Sequence, residues 1–199
     1  LNTTDSNGPM FFANGTAITI SQRTDGQDGA HIAWEGGSMD VSSATSVFGV
    51  GHQHEGVYAS TSIVMNGGTV NNLIGGGLHK SQVDSANIVI NGGTATGVTG
   101  GGASSMNGTT CHKPWYAGDA KQSTCRVEHA NVEINGGKIT ALLFGGGEGI
   151  SYTGSASLTI TDGDMSAAWV TAGGSNGYTG SAGVTVQGGT IHVLQSVNR

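Results

Sequence analysis

"MNGGTVNNLIGGGLHK", residues 65–80, sets two glycine clusters eight residues apart, with branched apolar residues between them and a His-Lys pair behind. A helix does not fit between glycines so closely spaced, because each costs about 1 kcal/mol in a helix interior. Asn-Gly-Gly is a turn signal, since Asn and Gly tolerate positive φ. The segment therefore reads as turn, short strand, second turn.

The same pattern recurs along the chain. Six segments align on a glycine or acidic-glycine pair: "HIAWEGGSMDV", "SIVMNGGTVNNL", "NIVINGGTATGV", "NVEINGGKITAL", "SLTITDGDMSAA" and "GVTVQGGTIHVL". Gly36, Gly67, Gly92, Gly136, Gly163 and Gly188 mark them, at spacings of 31, 25, 44, 27 and 25. A second glycine cluster follows four of them, at 75–77, 100–102, 145–147 and 173–174. Short β-branched strands on this period predict an all-β, single-stranded parallel β-helix (solenoid) of about six coils, each with about three strands. The crossover preference makes it right-handed. Ile63/Ile88/Val132/Leu158/Val184 and Met65/Ile90/Ile134/Ile160/Val186 are expected to stack inside. Residues 1–30 lack the repeat, and "MFFANGTAITISQ" reads as a strand pair around a turn that caps the first coil. The chain is thus one domain, 1–199: a cap at 1–30, coils over 31–199 and an inserted loop at 103–128. The calcium-binding nonapeptide solenoid is excluded, because Ser151 stands where its motif needs Asp.

Composition limits the partners. Charged residues are 10% of the 199 and the formal net charge is −6. Duplex nucleic acid demands a basic face and is not expected. No apolar run approaches the roughly 20 residues of a membrane helix. Cys111 and Cys125 close a polar loop, which suits a disulfide and a secreted, extracellular protein. The final repeat leaves one coil bare unless another subunit covers it, so a homo-oligomer is compatible with the pattern.

The variable stretches after the second glycine cluster are expected on one side of every coil: 52–58, 78–84, 103–128, 148–152 and 175–178. The glycines before them are read as a floor on which a long ligand lies. This side gathers His52, His54 and Tyr58, then His79 and Lys80. The insertion adds Lys113, Trp115 and Tyr116, and the last coils add Glu148, Tyr152, Asn176 and Tyr178. His titrates near neutral pH and Tyr can return a proton to a leaving oxygen. Tyr152 and Tyr178, in successive coils, form either a sugar platform or a structural ladder. A metal at His52-x-His54 lacks a fixed third ligand, and no cofactor is expected. Asp84, Glu148 and Asp164 fall on different sides of the coil, which disfavours a two-carboxylate hydrolase.

Stacked "INGG…GGG" coils over residues 31–195 resemble the parallel β-helix proteins that include polysaccharide lyases and bacterial surface adhesins. Size and secreted character are similar to the small hyaluronate lyases secreted by Streptomyces. That resemblance implies metal-independent β-elimination on a uronic-acid polysaccharide, with hyaluronan favoured. His54 would act as base and Tyr58 or Tyr152 as acid. His79, Lys80 or Asn176 would neutralise the uronate carboxylate. The alternative is a non-catalytic carbohydrate-binding adhesin-type solenoid.

Overall fold

In the computed structural model, each regular coil has two strands joined by a short glycine-containing turn: Asn-Gly-Gly at 66–68, 91–93 and 135–137, Thr-Asp-Gly at 161–163 and Gln-Gly-Gly at 187–189. The structure describes residues 2–5, 8–51, 56–77, 81–103, 125–149, 151–175 and 177–195. The first strands are β1 (Asn2–Asp5), β2 (Gly8–Phe12), β3 (Ile18–Ser21), β4 (Ala30–Trp34), β5 (Gly37–Val41) and β6 (Ser46–Phe48). Five long strands follow, each paired in sequence with a short one. The long strands are β7 (Gly56–Met65), β9 (Ser81–Ile90), β11 (Arg126–Ile134), β13 (Tyr152–Ile160) and β15 (Tyr178–Val186). The short ones are β8 (Thr69–Ile74), β10 (Thr94–Thr99), β12 (Lys138–Phe144), β14 (Asp164–Thr171) and β16 (Thr190–Gln195).

The five long strands stack parallel in one sheet, β15-β13-β11-β9-β7-β3-β4-β5, where β3-β4-β5 is antiparallel; the short strands stack parallel in a second, β1-β2-β6-β8-β10-β12-β14-β16, where only β1-β2 is antiparallel. The protein is all-β, with sheets compatible with a solenoid. Register follows the apolar pattern: Ile63, Ile88, Val132, Leu158 and Val184 are direct neighbours, as are Met65, Ile90, Ile134, Ile160 and Val186. All but the last of each ladder are buried and belong to one continuous core. Ile90 pairs with Ile134 across the long insertion, so that insertion leaves the stacking intact.

The long strands bend. Ala59, Asp84, Glu128, Gly154 and Gly180 drop out of the pairing at one position in every coil. Before the gap Val83, Val127 and Thr153 are buried; after it Ala86, Ala130 and Ala156 are. Inward residues there sit three apart rather than two, so each long strand turns a corner. Each coil thus contributes two strands, the longer one bent, where the repeat predicts about three.

The two glycine columns do different work. Gly68, Gly93, Gly137, Gly163 and Gly189 all have positive φ, between 82° and 122°. Gly163 therefore occupies the second glycine position, and Asp162 stands where Gly136 does; aligning Gly163 with first glycines is off by one residue. Beside this turn Asn91 Nδ2 donates to Asn66 Oδ1 at 2.8 Å, and Asn135 Nδ2 to Asn91 Oδ1 at 3.1 Å. In the second column the glycines are buried. A Cβ on Gly75, Gly100 or Gly145 would stand 2.3, 2.2 and 2.3 Å from the carbonyl oxygen of Gly100, Gly145 and Ala172. These glycines let neighbouring coils touch backbone to backbone. They are contacts between coils and form no open floor for a ligand, which corrects that expectation.

The N-terminal region also departs from the sequence reading. β2 and β3 flank a turn at Asn14 (φ 52°) but enter opposite sheets, so they do not pair. Gly36 and Gly37 turn an antiparallel hairpin, β4–β5, rather than a coil. The first of the six repeats is thus part of the cap, which extends past residue 30. Phe11 and Trp34 meet there at 5.6 Å between ring centres.

Candidate functional site

Each long strand begins with an outward residue six positions before the Ile63-type ladder. Val57, Gln82, Arg126, Tyr152 and Tyr178 occupy that position and are neighbours across the sheet. Parallel pairing at about 4.8 Å per strand brings their side chains into a row. Tyr152 and Tyr178 stack with ring centres 5.4 Å apart and planes 7° from parallel. The Arg126 guanidinium carbon lies 5.2 Å from the centre of the Tyr152 ring, in cation–π range. Arg126 Nε also donates to a Glu128 carboxylate oxygen.

Both faces of Tyr152 are therefore occupied, and the residue is 7% exposed. Burial, reinforced by the Glu128 charge and opposed by Arg126, raises the Tyr152 phenol above its ordinary pKa. Tyr178 is 44% exposed.

The corner lies next to this row. Val57, Gln82, Val83, Asp84, Arg126 and Glu128 line a shallow cleft of about 260 Å³. On its other side runs the row Ser60, Ser85, His129, Ser155 and Ser181. His129 Nδ1 and Ser155 Oγ are 2.8 Å apart, and Ser155 Oγ donates to the Glu128 carbonyl at 3.4 Å. The corner thus offers hydroxyls, an amide, an imidazole and a phenol edge at one coil's spacing. Two carboxylates, Asp84 and Glu128, share it with the one guanidinium.

Tyr152 and Tyr178 are brought together as the coil alignment predicts. Tyr58 is not brought to them. It starts one residue later in the coil, faces inward and packs with Val50, Val83, Ala86, Val127 and Ala130. Its ring fills space beside Gly15 and Gly56, where a Cβ would come within 2.8 and 2.7 Å of it. It is three strands from Tyr152, about 14 Å by strand spacing. Glu148 follows the glycine corner, where its amide donates to the Gly102 carbonyl at 2.9 Å. Asp164 lies beyond the Asn-Gly-Gly-type turn, 2.9 Å from Lys138 Nζ. Cys125 is buried just before β11, and no cysteine among the described residues is free. His52, His54, His79, Lys80, Cys111, Lys113, Trp115, Tyr116 and Asn176 lie outside the described residues.

Gln82, Arg126, Glu128 and His129 were not singled out from sequence. Their fixed offset from the Ile63 ladder was the available signal. Arg126 and Glu128 were hidden by counting 103–128 as insertion, although β11 begins at Arg126. Trp169 was also missed. It stands 53% exposed on the outer face of the short-strand sheet, between Leu142 and Val193. Among the described residues no three His, Cys, Asp or Glu side chains converge as a metal site would need.

Fold and site define a class: an all-β protein of two largely parallel sheets, compatible with a solenoid, with a polar, aromatic-ended row along the bend of its long strands. No protein-family model matches the chain, and no curated protein or solved structure matches it.

Proposed function

We propose that the protein is a secreted, right-handed β-solenoid that binds an extended polysaccharide along the corner of its long strands. The observation that carries this reading is the in-register row Gln82–Arg126–Tyr152–Tyr178, flanked by Ser85, His129, Ser155 and Ser181. Coil spacing of about 4.8 Å repeats hydrogen-bonding groups at close to the advance of one sugar residue. Tyr178 supplies a ring for a pyranose at the end of the row. Arg126 is offset by Glu128, and Asp84 adds a further negative charge, so a neutral or weakly charged polymer fits this part of the corner best. A Cys111–Cys125 disulfide would staple the loop that precedes β11. Affinity electrophoresis through gels containing neutral and uronic-acid polysaccharides tests the proposal. Retardation is expected and should be lost in Tyr178→Ala; free migration in every gel would sink it.

A second reading is lyase activity on a uronic-acid polymer, favoured by one observation. Tyr152 stands in the row beside Arg126 and Tyr178, and a phenol is protonated at neutral pH, as an acid for the departing glycosidic oxygen requires. His54 would remove the C5 proton and His79, Lys80 or Asn176 would bind the carboxylate. Ultraviolet absorbance of unsaturated products from hyaluronan, compared with Tyr152→Phe, decides it. No rise with the wild-type protein rejects β-elimination while leaving the binding proposal standing.

A further inference from the structure

The outer face of the long strands, past the bend, is a second regular array. Residues 60–65, 85–90, 129–134, 155–160 and 181–186 pair from coil to coil without a shift. With the first residue of each following turn, their outward side chains make four rows over five coils, roughly 20 Å by 20 Å at the usual strand spacings. None of these outward residues is buried. His129 and Glu133 are the only titratable side chains among them, and no Lys, Arg or Asp is present. Apart from Val64, Val89 and Gly183, the others are Ser, Thr, Asn or Gln.

Hydrogen bonds between coils fix these side chains in place. Asn131 Nδ2 donates to Asn87 Oδ1 at 3.1 Å, and Asn87 Nδ2 to the Thr61 carbonyl at 3.2 Å. The Asn66–Asn91–Asn135 ladder runs beside them, four residues further along each strand. Asn87, Asn91 and Asn131 each spend one amide N–H in this way and keep a second for a ligand. Glu133 is already engaged, because its Oε1 accepts from Asn135 Nδ2 at 2.8 Å. Between the two ladders Asn87, Val89, Asn131, Glu133, Ser157 and Thr159 line a groove of about 240 Å³.

We propose that this face binds the surface of a packed, uncharged polysaccharide, several parallel chains wide. This rests on the polysaccharide reading of the corner row and extends it: the corner holds one chain, and the groove, about six residues further along each strand, holds another. A single extended chain lying across the coils covers one or two rows, so an array of four rows suits chains lying side by side. Fixed amide N–H groups and hydroxyls meet sugar hydroxyl and ring oxygens, which accept. A polyanion would find no Lys or Arg on the face. Side chains already held by the ladders lose little freedom when a rigid surface docks. A flat ice lattice would leave the groove unfilled, whereas a sugar ring enters it.

Depletion of the protein by suspended microcrystalline cellulose and by chitin tests the proposal, with affinity electrophoresis in soluble neutral polysaccharide run alongside. The variants are Ser157→Lys on the face, Thr96→Lys on the outer side of the other sheet, and Tyr178→Ala in the corner row. Ser157 and Thr96 are exposed, and Ser157 adjoins Gly183, which has open space around it, so both folds should survive, as circular dichroism checks. Wild type and Thr96→Lys should be depleted by at least one solid. Ser157→Lys should bind that solid with a Kd at least about tenfold higher, because a lysine standing in the array holds the chains off, yet keep its retardation in the gel. Tyr178→Ala should lose that retardation. Wild type retarded in the gel but left in solution by both solids would overturn the proposal and leave the corner reading standing. Neither retardation nor depletion would overturn both. Equal depletion of wild type and Ser157→Lys would also overturn it, as would uptake of wild type into growing ice without depletion by either solid.

Discussion

Gly100→Ala probes whether the triple-glycine corners hold the coils together. Gly100 does not need positive φ, so the substitution acts through space alone. Its Cβ would stand 2.2 Å from the Gly145 carbonyl oxygen and 2.8 Å from Val132 Cγ2. Carbon and oxygen require roughly 1 Å more, so the β9–β10 and β11–β12 coils must separate locally. Three hydrogen bonds join these two coils at the corner: Gly100 N to Phe144 O, Gly101 N to Gly146 O and Glu148 N to Gly102 O, at 2.9, 3.0 and 2.9 Å. At about 1 kcal/mol each, their loss together with overpacking destabilises the protein by about 3 kcal/mol. That is a large share of the 5–15 kcal/mol typical of a domain. Gly183→Ala is the control. It has nothing within 4 Å of a new Cβ and no positive φ, so it should be neutral or stabilise by a few tenths of a kcal/mol. Urea denaturation of the two variants gives the difference. A Gly100→Ala midpoint equal to that of Gly183→Ala would refute the packing argument and return these glycines to a ligand-facing role.

Four other outcomes are expected. Asn91→Ala removes one bond given and one received in the asparagine ladder, and should cost about 1 kcal/mol in urea melts because the ladder is exposed. Ile90→Ala empties a fully enclosed position and should cost 2–5 kcal/mol by the usual scale, about 3 here, measured the same way. Asp164 is held well below the usual carboxylate range by Ser166 and Lys138, and Asp25 is lowered to about 2 chiefly by Arg23. Depressed carboxylates stabilise above their unfolded pKa and lose that contribution as pH falls through the folded one. Stability should therefore decline from about pH 4 downward, and Asp164→Asn should flatten that decline in urea midpoints taken across the acid range. Reduction should lower the melting temperature of wild type but not of Cys125→Ser, if Cys111 and Cys125 close the loop of about 15 residues; equal melting with and without reductant contradicts the staple.

The ladders were legible because two periods coincide. Apolar residues alternate within a strand, and the alternation returns at the coil repeat, so Ile63, Ile88 and Val132 could be aligned without coordinates. Gly36 misled because turn chemistry is local. "EGG" closes a hairpin as readily as it turns a coil, and only the pairing partner, remote in sequence, distinguishes them. Tyr58 misled for a related reason. The corner at Ala59 shifts inward positions from two apart to three, so simple alternation from Ile63 gives the wrong face for residues before it. Tyr152 and Tyr178 were found because their offset to the inner ladder is the same. Arg126 has that offset too, but lay inside a segment read as loop.

The corner row as the polysaccharide site is the central claim, and the backbone amide NMR spectrum with and without saturating polymer tests it most directly. The account predicts shift changes at Gln82–Ser85, Arg126–His129, Tyr152–Ser155 and Tyr178–Ser181, tracing one line across four coils. Changes centred instead on Leu142, Trp169 and Val193, on the outer face of the other sheet, would contradict it.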